Sequence, residues 1–216
     1  MQLAHRRAWN FDVFELETLC GGGGGGSEAG RPMMVMGLTL LGPLNYNLIA
    51  ECALNEATLV AFLDKIDTLY HKENPYHNSL HAADVAQSTN YMLATGGFAQ
   101  LLQLTQDQVL ASLLAALVHD VGHPGVNNAF LCATSDPLAL RYNDHSPLEN
   151  LHCALPFEMM RETRFDLLGG FDYERRRGIR RVIVEMVLAT DNAHHMTFLG
   201  QLKARAARPC VQRPRR

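Results

Sequence analysis

The 216-residue sequence has no apolar stretch that approaches the roughly 18 residues needed for a membrane-spanning helix. Its first residues, MQLAHRRAWNFDVFELE, lack the apolar core of a secretory signal. Nor is there an excess of one charge, because 19 basic and 22 acidic side chains give a formal net charge of −3. These absences predict a cytoplasmic chain without a membrane span, and composition gives no reason to expect nucleic acid as a partner.

Paired cysteines are also lacking. The five cysteines, at positions 20, 52, 132, 153 and 210, are odd in number, scattered and without any CxxC pair. A disulfide framework needs an even set at close spacing, so we expect reduced thiols. Reduced thiols agree with the cytoplasmic location.

Signals for β-strands are missing as well, since no convincing period-two alternation and no Asn-Gly hairpin occurs past residue 45. Apolar side chains instead recur at intervals of three and four residues, which is the helical pattern. This pattern predicts buried helix faces over 59–70, 109–118 and 179–187. The predicted fold class is therefore all-α, a compact multi-helix bundle.

Helix starts can be read from capping residues. TQDQ at 105–108 has the spacing of a capping box. Ser146, Pro147 and Glu149 fit the N-cap, N1 and N3 positions of a later helix, which Pro156 is expected to kink or end. Glu149 has two equally good explanations: at N3 it can complete a capping box with Ser146, or it can belong to a functional site.

Two segments have biased composition. CGGGGGGSEAG at 20–30 predicts a flexible surface loop that is too short to separate two domains. The last fourteen residues, 203–216, carry six basic side chains and no acidic one. We interpret them as a solvated tail, with a nucleic-acid-binding arm as the alternative.

Histidine is abundant, with ten residues, and part of it is clustered. In YHNSLHAADV, His77 and His81 are four residues apart and would share one face of a helix. Alone, such a pair is better explained as two exposed side chains that have no function. The spacing becomes informative only together with a second cluster.

The second cluster ends the apolar run ALVHDVGHPG, where His119, Asp120 and His123 follow a buried helix. Burying imidazole and carboxylate is costly unless they are bound or paired. Imidazole nitrogen and carboxylate oxygen are donors for zinc, and carboxylate with water suits magnesium or manganese. We therefore predict a divalent metal site, with a satisfied buried His–Asp pair as the alternative.

Four segments together resemble a known family. PYHNSLHAADV, HDVGHPGVNNAFL, YNDHSPLEN and VLATDNAHH occur in the order and spacing of the class I 3′,5′-cyclic nucleotide phosphodiesterase catalytic domain. The resemblance extends from WNFDVFELE to LGQLKAR, and the N-terminal part is most similar to the cAMP-preferring subgroups. It implies an HD-type all-α bundle.

The resemblance also implies roles for individual residues. His77 would be the general acid that protonates the departing ribose O3′. His81, His119 and Asp120 would be ligands of a zinc ion, and Asp120 would also contact a second ion, magnesium or manganese. Such a pair of ions would promote hydrolysis of a cyclic nucleotide to its 5′-monophosphate.

Further positions would support this centre. The resemblance makes His123 a neighbour that orients metal-bound water. It implies that Glu149 and Thr190 hold the water molecules that are bound to the second ion. Asn128 and Asp191 lie in motifs of the family and would have supporting roles.

The sequence departs from the family at two places. The family has two adjacent histidines shortly after the glutamate, whereas ENLHCA keeps His152 and has Leu151 before it. The family's fourth metal ligand, an aspartate, and its purine-binding glutamine come later than Arg216. We therefore interpret residues 1–216 as a partial catalytic domain, incomplete at its C-terminus.

Three functions follow as hypotheses. The first is metal-dependent hydrolysis of cyclic nucleotides, cAMP before cGMP, in signal transduction. The second is a catalytically inactive truncated isoform that modulates a full-length partner. The third, another HD-type phosphohydrolase, is disfavoured by the YHN and HPGVNN contexts. The sequence does not predict an oligomeric state.

Overall fold

The computed structural model describes residues 8–21 and 30–206. In these ranges the chain forms twelve α-helices and no strand, so the all-α prediction is confirmed. The helices are α1 Val13–Leu19, α2 Pro32–Leu41, α3 Leu48–Glu51, α4 Glu56–Leu69, α5 Ser79–Ala94, α6 Phe98–Leu101, α7 Gln106–Val118, α8 Asn128–Ala133, α9 Pro137–Arg141, α10 Pro147–Met159, α11 Tyr173–Leu188 and α12 His195–Ala206.

Helix α7 is the centre of the bundle and packs against α2, α5 and α11. Every residue from Val109 to Val118 is buried, which confirms the predicted apolar face and extends it around the whole helix. A helix that is apolar on all sides belongs inside a protein. The predicted face of α4 is also buried, whereas α11 buries Ile179, Ile183 and Val187 and keeps a polar side.

The capping box before α7 is present. The Gln108 amide N–H donates to Thr105 Oγ1 over 3.3 Å, and the Thr105 amide N–H donates to Gln108 Oε1 over 2.9 Å. Two backbone donors that the helix leaves free are thereby satisfied. The helix starts at Gln106, as the sequence predicts.

The start of α10 differs from the prediction in its cap. Ser146 precedes the helix with φ 43°, in the left-handed region, and its side chain makes no capping bond. The Ser146 hydroxyl instead donates to Asp191 Oδ2 over 2.7 Å. The Glu149 carboxylate accepts a hydrogen bond from Asn128, so the capping box considered for Glu149 is wrong.

Pro156 does not end α10, which continues to Met159. A proline inside a helix removes one backbone hydrogen bond. Pro156 is buried, and Met159 and Met160 beyond it belong to the apolar core. Burial of this last turn offsets the missing bond.

His77 and His81 do not share a helix face, so that prediction is wrong. The Asn78 side chain accepts the amide N–H groups of Leu80 and His81 over 3.0 and 3.2 Å and caps α5. His77 precedes this cap and lies in the turn before the helix. Asparagine at an N-cap stops the helix from extending backwards.

The sequence suggests a helix that begins at Asp191, whereas Asp191 caps a 3₁₀ turn, Asn192–His194, and the α-helix begins at His195. Helix α12 then extends to Ala206, so the first residues of the predicted basic tail, 203–206, are helical. Lys203 and Arg205 lie in the last helical turn, where cations are favoured by the helix dipole. The remaining tail, 207–216, and residues 22–29 of the glycine-rich loop are outside the described residues.

No helix in the described ranges has both the length and the apolar character that crossing a bilayer requires.

Candidate metal centre and active site

The ends of α5, α7, α10 and α11 meet at a cleft of about 770 Å³. All nine side chains that sequence analysis assigned to the site line this cleft, together with His152. The nine are His77, His81, His119, Asp120, His123, Asn128, Glu149, Thr190 and Asp191.

Three of these side chains converge to a tight triangle. His119 Nε2 lies 3.2 Å from His81 Nε2 and 3.0 Å from Asp120 Oδ2, and His81 Nε2 lies 3.3 Å from Asp120 Oδ2. Zinc bonds of 2.0–2.1 Å in a tetrahedral site put neighbouring donor atoms roughly 3.3–3.4 Å apart. The triangle is therefore of the right size to be one face of a zinc coordination shell.

Helix α7 orients the His119 ring. His119 is the first residue after the helix, and its Nδ1 lies 2.9 Å from the Ala116 carbonyl oxygen. Because a carbonyl only accepts, Nδ1 carries the hydrogen and Nε2 presents a lone pair to the triangle. A metal-ligating histidine commonly has this arrangement, with the other ring nitrogen donating to a carbonyl.

Asp120 contributes an ionised carboxylate to the triangle. Burial alone would raise the pKa of its carboxyl, but the neighbouring His119 and His81 side chains outweigh burial and hold the pKa well below its usual range. The Asp120 amide N–H lies 3.4 Å from the Tyr70 hydroxyl oxygen, and this hydroxyl donates to the Leu117 carbonyl over 3.0 Å. The apolar spacing of α4 predicts burial of Tyr70 but no role for its hydroxyl.

Three imidazoles form a stack beside the triangle. The His77 and His123 rings lie 3.9 Å apart between centroids and 9° from parallel, and His152 continues the stack 5.7 Å from His123. His123 Nδ1 accepts the Gly125 amide N–H over 3.0 Å. Burial, followed by the neighbouring His77, lowers the pKa of His123. A neutral His123 ring can therefore pack against His77 without charge repulsion.

His152, which the sequence marks only by a departure from the family pattern, is deeply buried beside Asp120. The side chain is 1% exposed, its Nδ1 donates to the Val121 carbonyl over 2.8 Å, and its Nε2 lies 3.7 Å from Asp120 Oδ1. Burial is the main reason why the pKa of His152 falls to about 4. The position three residues after Glu149, on the same face of α10, is the signal that could have found it.

Glu149 lines the same cleft as His77. Its Oε2 accepts a 2.9 Å hydrogen bond from Asn128 Nδ2, and Asn128 Oδ1 accepts the Leu148 amide N–H. Burial raises the pKa of Glu149, Asn128 lowers it, and the carboxylates of Asp191 and Asp120 raise it further. Such clustering of carboxylates near a triangle of donors favours a cation between them.

Thr190 and Asp191 close the cleft at the end of α11. The Thr190 hydroxyl donates to the Val187 carbonyl over 2.7 Å. Asp191 bonds Ser146 through Oδ2 and the Ala193 amide N–H through Oδ1. Asp191 thus links the start of α10 to the end of α11.

The fold and the donor set define an all-α protein with a two-histidine, one-carboxylate site suited to a divalent ion. A sequence profile of the 3′,5′-cyclic nucleotide phosphodiesterases matches residues 76–213. Because this match covers more than half of the chain, the chain belongs to that family.

Individual relatives support this family assignment. The chain is 36% identical over 202 residues to mouse 3′,5′-cyclic-AMP phosphodiesterase 4C, a match that covers 94% of this chain and 28% of that protein. It is 35% identical over 195 residues to isoform F of the Drosophila melanogaster 3′,5′-cyclic-AMP phosphodiesterase, covering 90% of this chain and 28% of the relative. The chain thus spans less than a third of the length of these relatives.

Solved structures show the same architecture. The structure of LmjPDEB1 in complex with IBMX superposes with a TM-score of 0.78 at 31% identity, covering 93% of this chain and 58% of that one. The phosphodiesterase domain of the Salpingoeca rosetta rhodopsin phosphodiesterase gives a TM-score of 0.76 at 32% identity, covering 91% of this chain and 54% of that one. The predicted phosphodiesterase bundle is confirmed by these two structures.

Proposed function

We propose that this chain hydrolyses 3′,5′-cyclic nucleotides to 5′-monophosphates in a metal-dependent reaction, with cAMP preferred to cGMP, in signal transduction. The observation that carries this proposal is the triangle of His81, His119 and Asp120, 3.0–3.3 Å on each side, at the wall of a cleft that also contains His77. Relatives described as cyclic-AMP phosphodiesterases support the choice of substrate.

We assign zinc to the triangle, because two imidazole nitrogens and one carboxylate oxygen are donors of its type. Asp120 would also hold a second ion, magnesium or manganese, and Glu149 and Thr190 would hold its water ligands, since carboxylate and water are the ligands that such an ion prefers. When bound, two such cations neutralise phosphate charge and make a water nucleophile available near neutral pH.

His77 is assigned the proton donation. The ribose O3′ leaves as a poor alkoxide unless it is protonated, and an imidazolium at the cleft wall can supply that proton. The His77 ring centroid lies 6.1 Å from that of His81, a separation that supports a proton donor beside the proposed metal ligands and not a further ligand. The His123 ring stacks on one face of His77, and His77 lines the cleft in which the substrate would bind.

Asn128 and Asp191 are assigned supporting roles through their partners. Asn128 holds Glu149 and the amide of Leu148, so it sets where the carboxylate enters the cleft. Asp191 holds Ser146 and therefore the first turn of α10, which carries Glu149. Neither side chain needs to contact the reacting atoms for these functions.

The test is hydrolysis of cAMP and of cGMP, with zinc and either magnesium or manganese, by the chain and three variants. His77→Ala should lower kcat by about 10²–10⁴-fold and keep bound zinc. Asp120→Ala should lose both zinc and activity. His71→Ala is the matched control, because His71 is an exposed histidine in the turn before His77 and does not line the cleft.

Equal rates in all four proteins would overturn the proposal. A chain that neither binds metal nor hydrolyses either nucleotide would overturn it too, and would favour a non-catalytic isoform that modulates a partner.

We also infer a cytoplasmic location. In the described part of the chain Cys20, Cys52, Cys132 and Cys153 are free, which supports the reduced state expected from the sequence. Fractionation of cells that express the tagged chain tests this, and recovery only with membranes or in the medium would contradict it.

A further inference from the structure

Asn74 is a buried polar residue for which neither the sequence patterns nor the proposed reaction supplies a role. It lies in the turn between α4 and α5 and is 8% exposed. Burying a primary amide is costly unless its donors and its oxygen find partners, so the bonds of Asn74 show what it holds.

The two hydrogens of the Asn74 amide reach two separate parts of the cleft. Nδ2 lies 3.2 Å from the His77 carbonyl oxygen and 2.8 Å from the His123 carbonyl oxygen. Both partners are carbonyls, which only accept, so the orientation of the amide is fixed. A single side chain therefore ties the backbone of the turn before α5 to the backbone of the turn after α7.

Neighbouring residues hold Asn74 itself. The Asn78 side chain donates to the Asn74 carbonyl over 3.0 Å. Gly125 has φ +82°, and a Cβ there would come within 2.9 Å of Asn74 Oδ1, so the absence of a side chain lets this loop approach the amide. The Gly125 amide N–H also bonds His123 Nδ1, which sets the tilt of the ring.

The two carbonyls that Asn74 ties belong to the two residues whose rings stack. The His77 and His123 rings, 3.9 Å apart and 9° from parallel, come from turns that are otherwise separated by the whole of α5 and α7. Stacking at this distance requires that both backbones keep a fixed separation. The amide of Asn74 is the link that spans this separation directly.

We propose that Asn74 is a positioning residue: by clamping the carbonyls of His77 and His123 it keeps their rings stacked and aims His77 at the scissile ester. The last clause rests on the function proposed for His77, whereas the clamp and the stack do not. A misplacement of about 1 Å at a reacting group can cost on the order of 10²-fold in rate, which is the loss expected without the clamp.

The experiment compares Asn74→Asp with Asn45→Asp in the zinc- and magnesium-loaded chain. Asn74→Asp keeps the shape of the side chain but removes both N–H donors. Asn45 is the matched control, because its Nδ2 also donates to two oxygens, those of Leu40 and Asn90, at a turn that does not line the cleft.

Two readouts are taken for each variant. The first is the NMR shift of the His77 ring protons, which the stacked His123 ring should move upfield. Asn74→Asp should remove that upfield shift, and Asn45→Asp should keep it. The second readout is kcat and KM for hydrolysis of cAMP, each determined separately. Asn74→Asp should lower kcat by about 10²-fold with zinc content kept and KM changed by less than about threefold.

A milder variant keeps the proposal testable if Asn74→Asp does not fold. Asn78→Ser retains a side chain that can cap α5 but loses the bond to the Asn74 carbonyl, so it should reduce the His77 shift and kcat in the same direction.

A His77 shift that survives in Asn74→Asp, or that is lost equally in Asn45→Asp, would overturn the clamp. If the unsubstituted chain shows the shift and Asn74→Asp removes it but neither hydrolyses cAMP, the clamp stands and the proposed function fails.

Discussion

Zinc should stabilise the folded chain through His81, His119 and Asp120. An ion that binds only the folded state stabilises it by about 2.7 kcal/mol at a free concentration one hundred times its Kd. For a chain of 216 residues, each kcal/mol raises Tm by about 2–4 °C. The expected rise is therefore about 5–11 °C.

Asp120→Asn removes the only charged donor of the triangle while it preserves the size of the side chain. Loss of a residue that merely supports a metal ligand costs about 10–100-fold in affinity, so loss of a ligand should cost at least about 100-fold. At the same free zinc concentration the remaining stabilisation falls to about 0.4 kcal/mol, or roughly 1–2 °C.

The assay is thermal unfolding followed by circular dichroism at buffered free zinc, with and without a chelator. The unsubstituted chain and His71→Ala should show the full rise, and chelator should reverse it. Zinc that raises Tm equally in Asp120→Asn would refute the reasoning, because it would place the ion somewhere other than the triangle.

Three further outcomes follow from buried contacts. Glu149→Gln, which can keep its bond to Asn128 but loses its charge, should raise the half-saturating magnesium concentration of hydrolysis by about 10–100-fold. Because the pKa of His152 falls to about 4 from an unfolded value near 6.5, the metal-free chain should lose on the order of 3 kcal/mol of stability as pH drops through that range. His152→Leu should flatten this loss in urea titrations, and an unchanged pH slope would contradict the assignment. Leu113→Ala, in the core of α7, should cost about 2–5 kcal/mol in urea, against less than about 0.5 kcal/mol for the exposed Leu101→Ala; similar costs would show that α7 is not the centre of the core.

The elements that sequence analysis predicted well are those whose signals are local. The apolar spacing of α4, α7 and α11 and the Thr105 capping box each lie within one helix, so no distant contact is needed to read them. Asn78 is the local signal that was overlooked. Its capping role explains why His77 falls outside α5.

The other features that sequence analysis got wrong or missed depend on residues far apart in the chain. Ser146 has the right type for an N-cap, but its hydroxyl bonds Asp191, which lies 45 positions away. Pro156 stays inside α10 because the turn beyond it packs into a core that no local pattern reveals. The Tyr70 hydroxyl and the Asn74 amide likewise find their partners in the segment 117–123.

Two members of the proposed triangle, His119 and Asp120, stand out in the sequence because they are found where the apolar periodicity of α7 stops, whereas the roles of the site residues were implied by the family resemblance and stay predictions. His119 and Asp120 follow α7 directly, and a helix end leaves carbonyl groups without partners. One of these, on Ala116, accepts Nδ1–H of His119 and so turns the lone pair of Nε2 toward His81. The end of the most buried helix therefore supplies two of the three donors and orients the imidazole among them. The polar groups at a buried helix end must find polar partners. The proposed cation and its ligands would satisfy that requirement, which explains why histidine and aspartate follow an apolar helix here.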